Sequence, residues 1–494
     1  MSKWLGTAIF LQSFFNWFTM KKKIVLYALL LVFGITSAQQ IQWAHKLIKY
    51  SSDLGGKQNS IKRILGKPDA FPQGGTSPNA WMPKKALDGY EWVEVSFEKP
   101  QTVKQVAVFE NLNAGCVVRI AVDKGNGKYE TVWGRKKDYK TPTFKATIPA
   151  DRNYYFKRKR RKIQDAPDVV NPGVEYALLE QAVSGVVAVR VEFNFALLPG
   201  QKEIDAIGIS DSDVPIVPTV NTTTAFESLP NAKTIELQGL VPSSGSISTD
   251  GKTLYVTAVG DSKSEIYTFT KNTAGEWTNK KIESSLNTNE YYNHLWCVAD
   301  GLILKGGATY TRGTTETGFE LFAVQNGTYT HRGPLKVAAY NNYDETAEAQ
   351  LTPDLKILVM GIETDFSQGG SDLYFAQQKE DGSYGFLQNM GKVINSAADE
   401  GMCQLLSDTK TLLFASNGFS AFGSYDLFVS YRLDDTWKNW SEPLNLGSKI
   451  NSSDFDGLPF YDEINEILYF ISSQNEINSL KAVTFPKNIL MKGE

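Results

Sequence analysis

The chain has 494 residues, more than one hydrophobic core normally holds, so two or three domains are expected. With 51 basic and 54 acidic residues the net charge is −3, which argues against a general nucleic-acid binder. Aromatics at 12% and 40 glycines suit an all-β protein rich in turns, and the three cysteines, Cys116, Cys297 and Cys403, form no disulfide framework.

At the N-terminus, Lys21-Lys22-Lys23 precedes the apolar run Ile24 to Ile35, and Thr36-Ser37-Ala38 stands before Gln39. A charged start, an apolar centre and a small-residue cleavage site make residues 1–38 an export signal. The run is too short to span a bilayer comfortably, and no cysteine sits at the cut to take a lipid. Residues 1–19 precede a second methionine, Met20, where translation is expected to begin; a longer signal-anchor is the alternative.

Residues 41–211 read as a first domain. Glu91 to Phe97 alternates with period two, and Val103–Phe109, Cys116–Val122, Val186–Phe195 and Ile204–Ile209 are further β-rich runs. Glycine and proline clusters such as Phe71-Pro72-Gln73-Gly74-Gly75 separate them, a pattern that predicts a β-sandwich. Residues 134–185 read as an insertion holding the basic run Lys157 to Lys162. That run is either a solvated face or a contact for phosphate-rich lipopolysaccharide or an acidic partner.

The stretches Tyr50-Ser51-Ser52, Leu65-Gly66-Lys67-Pro68-Asp69, Ala80-Trp81, Val93 to Phe97 with Pro100, Val106 to Asn111 and Ile204 to Gly208 resemble the discoidin, or galactose-binding-like, jelly-roll family of bacterial envelope proteins. The resemblance implies carbohydrate or surface binding through loops at one end of the sandwich, in a geometry that the insertion interrupts. Trp81 then stacks on a sugar or plugs the sandwich. Glu110 and Asn111 bond a ligand or hold a turn. Asp205 is expected to cap a loop. Residues 212–229, with Pro215, Pro218 and a threonine run, read as a linker.

Residues 231–485 repeat. Turn aspartates recur at Asp250, Asp300, Asp354, Asp408 and Asp462, spaced by about 50 to 54 residues, the range of propeller blades. A second column keeps step: Glu265-Ile266-Tyr267, Glu320-Leu321-Phe322, Asp372-Leu373-Tyr374 and Asp426-Leu427-Phe428. A third is aromatic: Trp277, Tyr329, Tyr384 and Trp437. One small sheet cannot bury both faces, so such units stack around an axis. Each turn aspartate is expected to accept backbone N–H bonds within its hairpin. Blade two departs from the pattern around Trp296 to Lys305, and Ile394-Asn395-Ser396 recurs as Ile450-Asn451-Ser452. The last unit lacks its own final strand, which Lys233 to Leu237 is expected to supply, closing a ring of five blades, with six the alternative. The fold class is thus all-β, a jelly-roll sandwich followed by a propeller.

The motif Ser248 to Tyr255 resembles the repeat of TolB-type periplasmic propellers, relatives of WD-repeat blades. Proteins joining these modules often continue into a peptidoglycan-binding domain of the outer-membrane-protein-A type. The tail, residues 486–494, reads as the opening of such a continuation, and no residue present carries peptidoglycan binding.

Little points to catalysis. His45, His294 and His331 lack metal-ligand spacing, and there is no Gly-x-Ser-x-Gly elbow and no phosphate loop, so neither a metal nor a cofactor is expected. The enzyme alternative is a sialidase-like glycosidase using Arg312, Arg332 and Arg432. The preferred reading is a non-enzymatic envelope protein at the periplasm or outer membrane. It binds or scaffolds glycan or protein partners and reaches the membrane through them, not through a spanning helix. A remnant of a longer peptidoglycan-anchored protein is a further alternative. Partner contact is expected on the loops after the second strands, Gly260–Ser264, Tyr310–Gly318, Phe366–Ser371 and Gly418–Ser424, with Phe366, Phe419 and Phe422 as contact residues.

Overall fold

The computed structural model describes residues 39–144, 171–260, 262–299, 301–308 and 315–491. The export signal, the Lys157–Lys162 run, Asp300 and Arg312 lie outside these residues. No helix among them is long and apolar enough to cross a membrane.

Among the described residues the first domain has seven strands: β1 (Ile41–Trp43), β2 (Lys46–Tyr50), β3 (Tyr90–Leu112), β4 (Val117–Asp123), β5 (Glu130–Gly134), β6 (Gly173–Asn194) and β7 (Glu203–Ser210). Their order is β1-β7-β3-β6-β4-β5, with β2 also on β3. The long strands β3 and β6 pair along most of their length and slip register between Ser96 and Gln105. At that break both strands pass from one layer to the other, the way strands turn a sandwich corner. Their outer halves pair with β2 and β4, and their inner halves continue to β7 and β1. Val93, Val95, Ile120, Val189 and Val191 of one layer then share a core with Val106, Val108, Ile207 and Ile209 of the other. The expected insertion is shorter than 134–185, because β6 begins at Gly173 and residues 173–183 pair with β3.

The second domain is a five-bladed propeller, not a six-bladed one. Strand β8 (Lys233–Thr234) comes first in the chain but belongs to the last blade. Blade one holds β9 (Pro242–Ile247), β10 (Thr253–Val259), β11 (Ser264–Thr270) and β12 (Lys281–Ile282). Blade two holds β13 (His294–Ala299), β14 (Leu302–Gly306), β15 (Glu316–Gln325) and β16 (Thr328–Ala338). Blade three holds β17 (Glu348–Leu351), β18 (Ile357–Ile362) and β19 (Asp372–Gln377); β20 (Tyr384–Phe386) crosses to pair with β16, and β21 (Gln388–Asn389) closes the blade. Blade four holds β22 (Glu400–Leu405), β23 (Thr411–Ser416), β24 (Asp426–Tyr431) and β25 (Leu444–Asn445). Blade five holds β26 (Phe455–Asp462), β27 (Ile467–Gln474) and β28 (Ile477–Thr484), and β8 supplies its fourth strand through Thr234 opposite Lys481. That strand exchange closes the ring and removes a sheet edge.

Each column of the repeat has a physical task. The turn aspartates sit between the first and second strands and accept from the chain two or three residues on: Asp250 from Lys252 N, Asp354 from Lys356 N, Asp408 from Lys410 N and Thr411 N, Asp462 from Ile464 N and Asn465 N. The third-column aromatics reach the preceding blade. Trp437 stacks on Phe375 at 5.0 Å, Tyr329 meets Tyr255 edge-on at 6.4 Å, and Tyr384 joins the core that holds Cys297 and Leu304 of blade two. The second-column acids Asp372 and Asp426 are buried and accept backbone N–H groups from the loops before them. Beside them, Asn395 and Asn451 each make two bonds to one third-strand residue, Leu373 and Leu427, at 2.8 Å from N–H and 3.0 Å to C=O. Asn287 does the same for Ile266 in blade one.

The stretch read as a linker is packed at both ends. Ile216 is buried with Phe71 and Phe109 of the sandwich, while α1 (Thr224–Glu227) sends Phe226 into the propeller core against Phe485. Between them, the Asn221 C=O accepts from Asn445 N, and its side chain donates to Pro443 O.

Candidate functional site

The first strand of every blade lines the central channel, because a radial stack of twisted sheets brings the innermost strands together. Among the described residues, two cavities lie along the channel. One, of about 340 Å³, lies at the end where the turn aspartates sit. The other, of about 590 Å³, opens at the opposite end and leans toward blade two. Trp296, Glu348, Met402 and Leu458 line both and form the constriction between them. Met402 and Leu458 have φ of +48° and +52°, each beside a register slip in its strand. Left-handed backbone at such residues stores strain of about 1–3 kcal/mol, which tends to collect at functional positions. Glu348 accepts the Met402 N–H, and burial with Asp344 and Asp399 nearby lifts its carboxyl to about 7.

The larger cavity is walled by one face of β13 and the residues just before it. Tyr292, His294 and Trp296 alternate along the strand and so share that face. The Tyr292 and His294 rings stack at 5.7 Å, His294 and Trp296 stand 4.4 Å apart, and Trp296 meets Phe319 edge-on at 6.2 Å. His294 is 7% exposed, and its Nε2 has no hydrogen-bonding partner among the described residues. Burial pulls its imidazole down to about 4, so the ring is neutral at ordinary pH. In the sequence His294 stands out only as a histidine without metal-ligand spacing and Trp296 only as the start of the break in blade two. The available signals were the alternation Tyr-x-His-x-Trp and the break in the repeat at this blade.

The residues singled out in the sequence scatter instead of converging. Trp81 is 0% exposed and packs edge-on against Phe193 at 6.0 Å, which leaves no ring face for a sugar. Glu110 accepts Gly115 N and Cys116 N at 3.0 Å each, and Asn111 donates to Gly75 O and Glu203 Oε2 at 2.8 Å. Both are buried in turn-holding networks, and burial raises Glu110 to about 7. Asp205 accepts Asp69 N and Ala70 N, as expected of a loop cap. Phe366 is 77% exposed on its loop. Phe419 is half-buried against Phe414 and Phe428 and borders a groove of about 790 Å³ between the two domains. Phe422 is half-buried, and its N–H donates to Asp426.

One of the loops expected to meet an outside partner, Gly418–Ser424, meets the sandwich, as does Asp365 just before another. Asn79 donates to Gly418 O at 2.5 Å and accepts Ala397 N at 2.7 Å; Gln73 donates to Phe419 O, Ser420 to Phe71 O, and Lys57 to Asp365 O. Lys57 and Arg63 face acids of the propeller, including Glu363, Asp372 and Glu400. Of the sialidase-like arginines, Arg332 is exposed on β16, and Arg432 is tied to Thr409 O, Asp434 O and Asp435 while stacking on Trp437. Neither lines the channel. Cys297 lies buried and Cys403 half-buried on the channel wall, both free, and Cys116 is free in the sandwich core.

No protein-family model matches this chain, and no curated protein does. Among solved structures it is similar to TolB from Acinetobacter baumannii at 10% identity and a TM-score of 0.31, over 49% of this chain and 53% of that one. The chain therefore spans about half of that TolB structure. It is similar to an endo-arabinase from Bacteroides thetaiotaomicron at 12% identity and a TM-score of 0.32, over 54% of this chain and 98% of that one. The WD40 repeats of RRP9 align at 11% identity and a TM-score of 0.29, over 54% of this chain and 99% of that one. Similarity at this level carries no statement about activity, and the propeller assignment stands on the strand topology described above.

Proposed function

We propose that this is an exported, non-enzymatic envelope protein that presents a sandwich and a propeller as one rigid surface to glycan or protein partners at the periplasm or outer membrane. The observation that carries the reading is the docking of the two domains. Asn79 clamps two propeller loops through both ends of its amide, and the connecting segment is buried against both domains. A scaffold gains from such fixed geometry. Two weak sites held at a constant span act on one partner through effective concentration, without new chemistry. The resemblance of the first domain to discoidin modules and of the second to TolB-type propellers supports the same role, and the Lys21–Ala38 stretch supports export.

The test combines capture from outer-membrane extract with a glycosidase assay on sialyl and other glycosides. Reproducible capture of a named envelope component without turnover supports the proposal. Turnover that disappears on changing Arg312, Arg332 or Arg432 to Ala would overturn it in favour of a glycosidase.

A further inference from the structure

We infer that the channel mouth at blade two is a binding site for an uncharged sugar residue of a glycan. This rests on the binding-protein reading above and names the ligand class for one of its sites. Four observations carry it.

The first is the aromatic ladder. Tyr292, His294 and Trp296 stand in contact along one face of the strand, with Tyr292 48% exposed and Trp296 half-buried. Flat aromatic surface beside polar groups suits the C–H face of a sugar ring. The second is the orphaned Nε2 of His294, buried on the cavity wall. A buried polar atom left unpaired is costly, and a ligand hydroxyl would satisfy it whichever tautomer the ring holds. The third is charge. The cavity lining carries Asp344 and Glu348 but, among the described residues, no lysine or arginine. Carboxyl groups exchange hydrogen bonds with sugar hydroxyls, and the Asp344 carboxylate repels an acidic sugar. The fourth is the space itself. At about 590 Å³ the cavity falls within the ordinary size of small-molecule sites. Gly306 keeps the wall open, since a Cβ there would stand 2.7 Å from Trp296 Nε1.

The position of the site in the repeat is consistent with this. Blades four and five carry Glu400 and Asp456 near the start of their first strands, and each is bonded to the serine of the preceding Ile-Asn-Ser. Blade two has His294 at the start of its first strand, with a buried Nε2 that has no hydrogen-bonding partner among the described residues. Local departures from a repeat's own rules are where function is expected.

The experiment is titration of the mature chain, followed by tryptophan fluorescence and calorimetry. The neutral probes are cellohexaose, mannohexaose, arabinohexaose and chitohexaose; the acidic ones are 3′-sialyllactose and trigalacturonate. At least one neutral probe is expected to bind and to quench. Tyr292→Ala removes exposed surface and should weaken binding about threefold to tenfold. His294→Ala should weaken it about tenfold, and His294→Gln less, because the amide restores a hydrogen bond. Should His294→Ala fail to fold, Tyr292→Ala still decides the matter, since its ring is half in solvent. Tighter binding of the acidic probes would overturn the inference, as would no neutral binding. Neutral binding unchanged in both Tyr292→Ala and His294→Ala would also overturn it, while leaving glycan binding elsewhere on the scaffold intact. Protein capture with no sugar binding would remove this site and leave the scaffold reading standing.

Discussion

Asn79→Ala is the sharpest probe of the two-domain arrangement. Asn79 is buried, and its amide satisfies the Gly418 C=O and the Ala397 N–H, both buried on propeller loops. Alanine leaves both groups without a partner at an interface that admits little water. Each orphan costs about 1–3 kcal/mol, so docking should weaken by roughly 2–6 kcal/mol. If the domains unfold as one body, the unfolding entropy of a chain this size is about 1 kcal/mol/K, and a loss of about 3 kcal/mol lowers Tm by about 3 °C. If docking is lost first, calorimetry should resolve two transitions where the wild type shows one. Protease should then cut within residues 212–229, whose burial depends on both domains. One unsplit transition at the wild-type Tm, with the connecting segment still protected, would refute the reasoning.

Three further outcomes are expected. Asn451→Ala should destabilise the propeller by about 1–3 kcal/mol in urea titrations, because the buried Leu427 N–H loses its partner while the Leu427 C=O keeps the Leu446 N–H, whereas Asn439→Ala, on an exposed turn, should cost under about 1 kcal/mol. Ile235→Pro removes the Ile235 N–H bond to Leu480 O beside the closing strand; it should cost about 3 kcal/mol and, by freeing the edge of β28, produce oligomers in size-exclusion chromatography. Burial raises Glu400 to about 8 and Asp426 to about 7, so the native state keeps protons that the unfolded chain has already released. Stability should therefore fall as pH rises from the ordinary carboxylate range toward 8, and Glu400→Gln should flatten that slope in denaturation curves at pH 5.5, 7 and 8.5.

The candidate site was less legible than the fold. Trp81, Glu110 and Asn111 sit where chain motifs end, but each is spent inside the sandwich on packing or turn bonds. Phe419 was read as a rim residue open to a partner; the sandwich comes within bonding distance of its carbonyl, through a contact 346 positions away in sequence. The side chains that do line an open cavity, Tyr292, His294 and Trp296, lie where the repeat looked merely degenerate. Their alternation could be read in the chain. The missing partner of His294 could not, since it depends on what five separate first strands bring to the axis.

Features that rest on short-range rules were legible in the chain alone. The turn aspartates bind N–H groups two or three residues on, so their spacing revealed the blades without any tertiary information. Period-two alternation marked the sandwich strands, and a blade short of one strand pointed to closure by Lys233–Leu237, of which Lys233–Thr234 pair with the last strand. The tertiary structure alone decided how the domains meet, where β6 begins, how β20 crosses from blade three to blade two, and which buried polar groups find partners. Those features depend on contacts between residues tens to hundreds of positions apart. Their free energy is set by desolvation and geometry at the place where the surfaces come together, and no local pattern encodes that.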